Sequence, residues 1–257
     1  MVSFLRKFRM SLIHKNQISK YLTYAIGEII LVVVGILIAL QINTWNEERK
    51  LKTYELKMLS ELKNTLEKDK RYFSNQIPRL QNKQKAANRL LEFRENKEEN
   101  LDTLNQYFAA LRYEVLFQYN SGTYGSIKSG GIDKISNDSI RSQMADLYEF
   151  IIPRTEKIFE KINSEESLEN DLVENITSRM VLTLGNNEQS IQNKISDPKV
   201  IYQDEFLHLI QIQKNSTYVF KSRIENLIPS LDNLIGLIER ELIKQKNEIG
   251  LDSQDDG

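Results

Sequence analysis

"YAIGEIILVVVGILIALQINTW", residues 24–45, decides the reading of the chain. From Tyr24 to Ile42 only Glu28 and Gln41 are strongly polar, and Ile29 to Leu40 is unbroken apolar sequence. At ~1.5 Å rise per residue, a helix over this stretch covers roughly 28 Å, close to the hydrocarbon thickness of a bilayer. A core helix of a soluble domain would show a polar face over such a length, and this one shows none. Tyr21 and Tyr24 at one edge and Trp45 at the other stand where an aromatic belt would.

The flanks set a direction. Arg6, Lys7, Arg9, Lys15 and Lys20 precede the span, and none of the first 27 residues is acidic. "NEERKLK" follows, with mixed signs. The positive-inside rule places residues 1–23 in the cytoplasm and everything beyond Trp45 across the membrane. A cleaved signal peptide is the rival, but the apolar core exceeds the usual ~7–15 residues and no small-residue cleavage site follows it. The expectation is an uncleaved signal-anchor over 24–45 and a single pass through the lipid bilayer. "FLRKFRMSLI" mixes cations with apolar residues. It reads either as a segment lying along the inner headgroups or as a plain topogenic flank.

Glu28 is the anomaly. At 100° per residue Glu28, Val32, Gly35, Ala39 and Ile42 share one face, and Gly35 with Ala39 forms a small-xxx-small pair that admits a second helix. An ionised acid at mid-bilayer costs about 2.5–3.5 kcal/mol on insertion scales, so it is expected to face a partner or water. Two readings stay open. Glu28 lies at the inner interface and reaches toward the headgroups or Lys20, or it joins Val32, Gly35 and Ala39 in a helix–helix contact within the membrane.

Working outward, no proline or glycine lies between Gly35 and Pro78. Leu51, Leu59, Leu62, Leu66 and Phe73 recur mostly at helical spacing, so the span is expected to run on as helix to about Gln76. Pro78 is expected to kink or interrupt it, with a second piece to about Arg94. "ENKEEN" (95–100) reads as a connector and 101–118 as the next helix. Thr123–Ser129 reads as a short helix stopped by Gly130 and Gly131, one of them left-handed. Asn137 or Ser136 then caps a helix through Ile151, and Pro153 begins another that runs to about Leu184. Residues 185–198 read as a polar connector. Helical spacing returns from Lys199 to about Glu248, with a bend expected at Pro229. Residues 249–257 read as an acidic, frayed tail. The fold class is therefore all-α: one transmembrane helix continuing into a bundle of long helices over 46–248. The first and last long helices can pair antiparallel, and the stripe over 51–73 would also serve a dimeric coiled coil.

Composition agrees. Among 257 residues there are only 10 Gly and 4 Pro, with 28% charged and 40% apolar. Residues 46–257 carry thirty basic and thirty-five acidic side chains, a net of −5, which gives no reason to expect nucleic acid. The chain has no cysteine, so disulfide and thiolate chemistry are excluded.

Two segments together carry a resemblance. "FLRKFRMSLIHKNQISKYLTYAIGEIILVVVGILIALQINTWNEERK" (4–50) is specific, above all at Tyr24–Glu28, Gly35–Gln41 and Trp45–Glu47. "TYGSIKSGGIDKISNDSIR" (123–141) is looser, and has "SGG" at 129–131 where the pattern has "SSG". The chain resembles an uncharacterised family of bacterial single-span membrane proteins, classed only as a domain of unknown function. That resemblance implies a bacterial inner-membrane protein with a helical extracytoplasmic part. It implies no activity, cofactor or catalytic residue.

A search for chemistry finds little. His14 lies in the basic flank. His208 with Asp204 four residues earlier would make two metal ligands without a second cluster. No Walker loop, nucleophile elbow, HExxH or calcium loop occurs. Acid pairs such as Glu98/Glu99 and Glu165/Glu166 read as solvated helix faces. No catalytic residue, metal or cofactor is expected, and the chain reads as a non-enzyme.

The segment 119–141 is the best candidate, with four of the ten glycines and Tyr119, Thr123, Tyr124, Lys128, Gly130, Gly131 and Arg141. It reads either as the rim of a ligand or partner site or as a tight hairpin whose glycines let helices pack. The functional expectation is a membrane-anchored interaction or scaffold module, with a protein partner or a second copy of itself. The alternative is an extracytoplasmic sensor or small-ligand-binding domain using 119–141.

Overall fold

The computed structural model describes residues 18–183 and 189–255. Side chains at 18–21, 165–168, 180–192 and 248–255 are outside the description, as is the flank 1–17 with His14. The chain divides into two units, Met1–Glu55 and Leu56–Gly257. The elements in order are α1 (Ile18–Glu95), α2 (Leu101–Leu111), α3 (Gly122–Gly131), a 3-10 turn (Ile132–Lys134), α4 (Asp138–Ala145), a π-helical turn (Asp146–Ile151), α5 (Ile152–Ile176), β1 (Ser178–Thr183), β2 (Gln189–Lys194), a second 3-10 turn (Pro198–Tyr202) and α6 (Asp204–Asp255). The expected helical class stands, with one apolar N-terminal stretch followed by helices.

Among the described residues of the first unit, the apolar side chains of α1 lie open. Leu31 is 75% exposed, and Ile29, Val32, Leu37, Leu40, Ile42 and Trp45 are all exposed. An 18-residue window here reaches a mean hydropathy of 2.6 with none of it buried. This stretch is long and apolar enough to cross a membrane.

In the second unit the stripe read from the sequence becomes core. Leu59, Leu62, Leu66, Phe73 and Leu80 of α1 are fully buried. Lys63 pairs with Glu239 at 2.8 Å and Lys70 with Asp232 at 2.5 Å. Seven residues forward on α1 is thus seven back on α6, the antiparallel register expected of the two long helices. Phe73, Phe117, Phe159 and Phe220 form a chain of ring contacts at 5.1, 5.1 and 4.2 Å, tying α1, the segment after α2, α5 and α6 together. Farther along α1, Ala87, Leu90 and Phe93 pack with Leu104 and Phe108 of α2, Val173 of α5, and Phe206 and Leu209 of α6. The Asn105 side chain of α2 bonds both backbone groups of Ile195, accepting from its N–H at 2.8 Å and donating to its carbonyl at 2.9 Å.

Several expectations need correction. α1 does not stop at Pro78 but runs through it to Glu95. The proline lies on the exposed face, and fully buried Phe73 and Leu80 hold the turns on either side. That packing outweighs the ~3 kcal/mol a helix-interior proline costs. α2 ends at Leu111 rather than at 118, and Val115 reaches the core from an irregular strap, 2% exposed. Pro153 does sit in the first turn of α5, but the helix before it does not break. The π-helical turn joins α4 to α5, with Ile152 N–H donating five residues back to Leu147 O. The wider turn gives room where the proline ring would crowd the Glu149 carbonyl.

α5 stops at Ile176, well before Leu184. Thr177 turns to an extended backbone, φ −128° and ψ 158°, and a two-stranded hairpin follows, antiparallel from Ser178↔Lys194 to Thr183↔Gln189. Backbone pairing across the hairpin wins over the helical spacing in this stretch, which includes the β-formers Val181 and Thr183. The connector expected at 185–198 is therefore partly strand, with residues 184–188 outside the description. α6 passes through Pro229 and carries the expected tail as helix to Asp255.

Candidate functional site

The segment 113–141 is built from local signals and then pinned by distant ones. Asn137 is the cap, as its side chain accepts from Ser139 N at 3.0 Å and Ile140 N at 3.2 Å. Its amide also donates to Glu241 of α6 at 2.8 Å. Burial raises the Glu241 carboxyl, but hydrogen bonds from Asn137 and Gln245 outweigh it and hold that group below its usual range. Gly131 closes α3 with φ at +105°. A Cβ there would sit 2.8 Å from Asp133 Oδ1, so only glycine fits the turn comfortably.

The structure distributes the sequence-predicted residues over separate contacts. Tyr124 donates to Glu149 Oε1 at 2.6 Å, and Lys128 donates to the same oxygen at 2.8 Å. Those two bonds, Lys128 first, hold the Glu149 carboxyl below its usual range. The Thr123 hydroxyl meets that of Thr65 on α1 at 3.1 Å. Arg141 bonds the Ile135 carbonyl and the Asp138 carboxylate. Gly130 and Gly131 end the helix. On the apolar stretch, Glu28, Val32, Gly35 and Ala39 all lie on α1 and are exposed.

Of the residues singled out from the sequence, Tyr119 lines a cleft. The cleft measures about 470 Å³ and is walled by Lys68, Asp69 and Tyr72 of α1, Phe117, Gln118, Tyr119 and Asn120 of the strap, and Glu156 of α5. Asp69 is 2% exposed and anchors its floor. It accepts from Asn120 N at 3.0 Å and from the Asn120 side-chain amide. Burial pushes the Asp69 carboxyl up, and the two Asn120 bonds oppose that. Tyr72 donates to Leu116 O at 2.7 Å, fixing the strap against α1. The Tyr119 hydroxyl is pushed up by burial and then by Glu156. Nearby, the Tyr124 and Tyr148 rings stack at 4.6 Å and 4°. The buried Tyr148 hydroxyl has no hydrogen-bond partner. Burial, then the Asp69 charge, pushes it far up.

Asp69, Tyr72, Asn120 and Glu156 escaped the sequence reading. Asp69 lies among alternating charges in "EKDKR" and looks like one more solvated acid. The available signal was its place on the apolar stripe, three residues after Leu66 and four before Phe73. His208 is exposed on α6, and among the described residues no group of three or more metal-ligating side chains converges. The side chains of Glu165 and Glu166 lie outside the description. Glu98 accepts from Arg89 at 2.9 Å. The cleft can bind by hydrogen bonds, ring faces, two carboxylates and the Lys68 ammonium.

The model of a family of unknown function matches residues 28–216, well over half of the chain. No curated protein matches it, and no solved structure does.

Proposed function

This chain belongs to the DUF6090 family, a family of unknown function, and we propose that it is a membrane-anchored helical interaction module without enzymatic activity. In this reading residues 24–45 hold it in a bacterial inner membrane as a single-pass signal-anchor. Residues 1–23 are cytoplasmic, and the helical part from residue 46 is extracytoplasmic. One observation carries the reading: the wholly exposed apolar stretch and a buried core stripe belong to the same continuous helix, α1. Such a helix leaves its first unit a surface that water does not tolerate and that lipid does. The face of Glu28, Val32, Gly35 and Ala39 is where a partner helix, or a second copy, would lie.

Carbonate extraction of vesicles and a C-terminal reporter enzyme test the anchor. The protein is expected in the pellet, and the reporter active only outside the cytoplasm. Release by carbonate, or a reporter active only in the cytosol, would sink the reading. A cysteine-crosslinking scan from 26 to 42 is expected to peak at positions 28, 32, 35 and 39, and an even profile would remove that face from the account.

A second reading, ligand sensing, is favoured by one observation. Tyr119, singled out from the sequence, lies in the cleft over Asp69. Substituting Tyr119→Ala should then change the response of the protein to its ligand without releasing it from the membrane.

A further inference from the structure

The cleft over Asp69 has walls that suit no single ion. Lys68 stands at its exposed edge, Asp69 and Glu156 are carboxylates, and Gln118 and Asn120 are neutral amides. An anion would meet the carboxylates, and a cation would meet the ammonium. Charge therefore selects no ligand here. What the walls share is a capacity for hydrogen bonds of both kinds: the ammonium donates, the carboxylates accept, and each amide does both. Among these groups the rings of Tyr72, Phe117 and Tyr119 add apolar surface.

The rings are held in place by the fold itself. Phe117 packs on Phe73 and Phe159, each with its ring centroid 5.1 Å away. Tyr119 stands 6.0 Å from Phe117, tilted by 51°. Tyr72 is fixed by its bond to Leu116 O. The Asp69 bonds to Asn120 hold the strap that carries the other two rings. A ligand laid on these rings would cost them little further freedom.

We propose that this cleft binds an uncharged sugar, a pyranose whose hydroxyls face Lys68, Gln118, Asn120 and Glu156 and whose C–H face lies on Phe117 and Tyr119. A hydroxyl donates and accepts at one atom, so the same set of hydroxyls serves ammonium, carboxylate and amide without a net charge. The C–H groups cover ring surface that water would otherwise wet. A wholly apolar molecule would strip water from the polar walls and return no bond. The volume of about 470 Å³ falls within the range of small-molecule sites. The proposal rests on the ligand-sensing reading of the cleft and gives it a ligand class.

The test uses the full chain in a detergent without sugar headgroups, read by saturation-transfer difference NMR. The probes are the methyl glycosides of glucose, galactose, mannose and N-acetylglucosamine, and the β-1,4-linked tetramer of N-acetylglucosamine. Tetramethylammonium, acetate, N-methylacetamide and glycerol are the controls, glycerol having hydroxyls without a ring face. At least one sugar should take saturation, most strongly at its ring C–H protons, and the controls should take none. A monosaccharide that binds marks a free sugar as the ligand, and binding of the tetramer alone marks a glycan chain. Tyr119→Ala should weaken the affinity about tenfold and Gln118→Ala about threefold. Lys68→Gln keeps a donor and should leave it unchanged. Gln118 is exposed, so its variant keeps the test valid if Tyr119→Ala fails to fold. The proposal is overturned if no sugar takes saturation, if a control takes as much, if folded Tyr119→Ala or Gln118→Ala binds as the parent does, or if Lys68→Gln abolishes binding. A control that binds and is lost in Tyr119→Ala would remove the sugar yet keep the cleft as a ligand site, so the two readings fail separately.

Discussion

Asp69 and Asn120, fifty-one residues apart, share two hydrogen bonds in which one nearly buried carboxylate takes both the main-chain and the side-chain N–H of the asparagine. The pair clamps the strap after α2 onto α1 and forms the floor of the cleft. Asp69→Ala leaves both donors without an acceptor in a dry place. It should cost about 2–3 kcal/mol, read as a lower urea midpoint at unchanged slope. Asp69→Asn keeps one acceptor and should cost about half as much.

The carboxylates of the fold pull in opposite directions with pH. Asp69 is raised in the folded state, so its contribution is present below the ordinary aspartate value and is lost as pH rises through the folded one. Glu149 and Glu241 are lowered. Their contributions are present above the ordinary glutamate value and are lost as pH falls through the folded one. Tm measured from about pH 3 to 7 should therefore fall on the acid side. Glu149→Gln and Glu241→Gln should each flatten that fall, and Asp69→Asn should steepen it. A steeper fall in Glu149→Gln would contradict the Lys128 and Tyr124 bonds.

Gly131→Ala should destabilise by about 1–3 kcal/mol, because its backbone stands at a positive φ and its new methyl group meets the Asp133 carboxylate. Gly125→Ala, inside α3, is the contrast. Nothing lies within 4 Å of the added carbon, and alanine is the better helix former by about 1 kcal/mol. Thermal unfolding of the two variants should move Tm in opposite directions.

Phe159 stands at the centre of the aromatic chain, 1% exposed, between Phe117 and Phe220. Phe159→Ala should cost about 3–5 kcal/mol, and Phe159→Leu distinctly less. A double-mutant cycle with Phe220→Leu should show coupling of roughly 0.5–1.5 kcal/mol beyond the loss of area. Additive costs would mean that the ring contact itself contributes nothing.

Much of this protein was legible residue by residue. The apolar stretch 24–42, the helical stripes, the Asn137 cap and the stop at Gly131 each rest on terms that act within a turn or two of the chain: solvation of consecutive side chains, one capping bond, one backbone angle. These terms are set by neighbours in sequence, so a short window contains them. The tertiary structure alone decided what became of Pro78, Pro153 and the stretch after Ile176. There, local preference met packing on other elements or pairing with a second strand, and the larger sum won. It also decided which polar residues matter. Asp69 meets Asn120, Asn137 meets Glu241, and Gln213 meets Glu169 across 51, 104 and 44 residues. In the linear chain each is one hydrophilic residue among many. Only the closing of the bundle removes their water and makes each depend on the other.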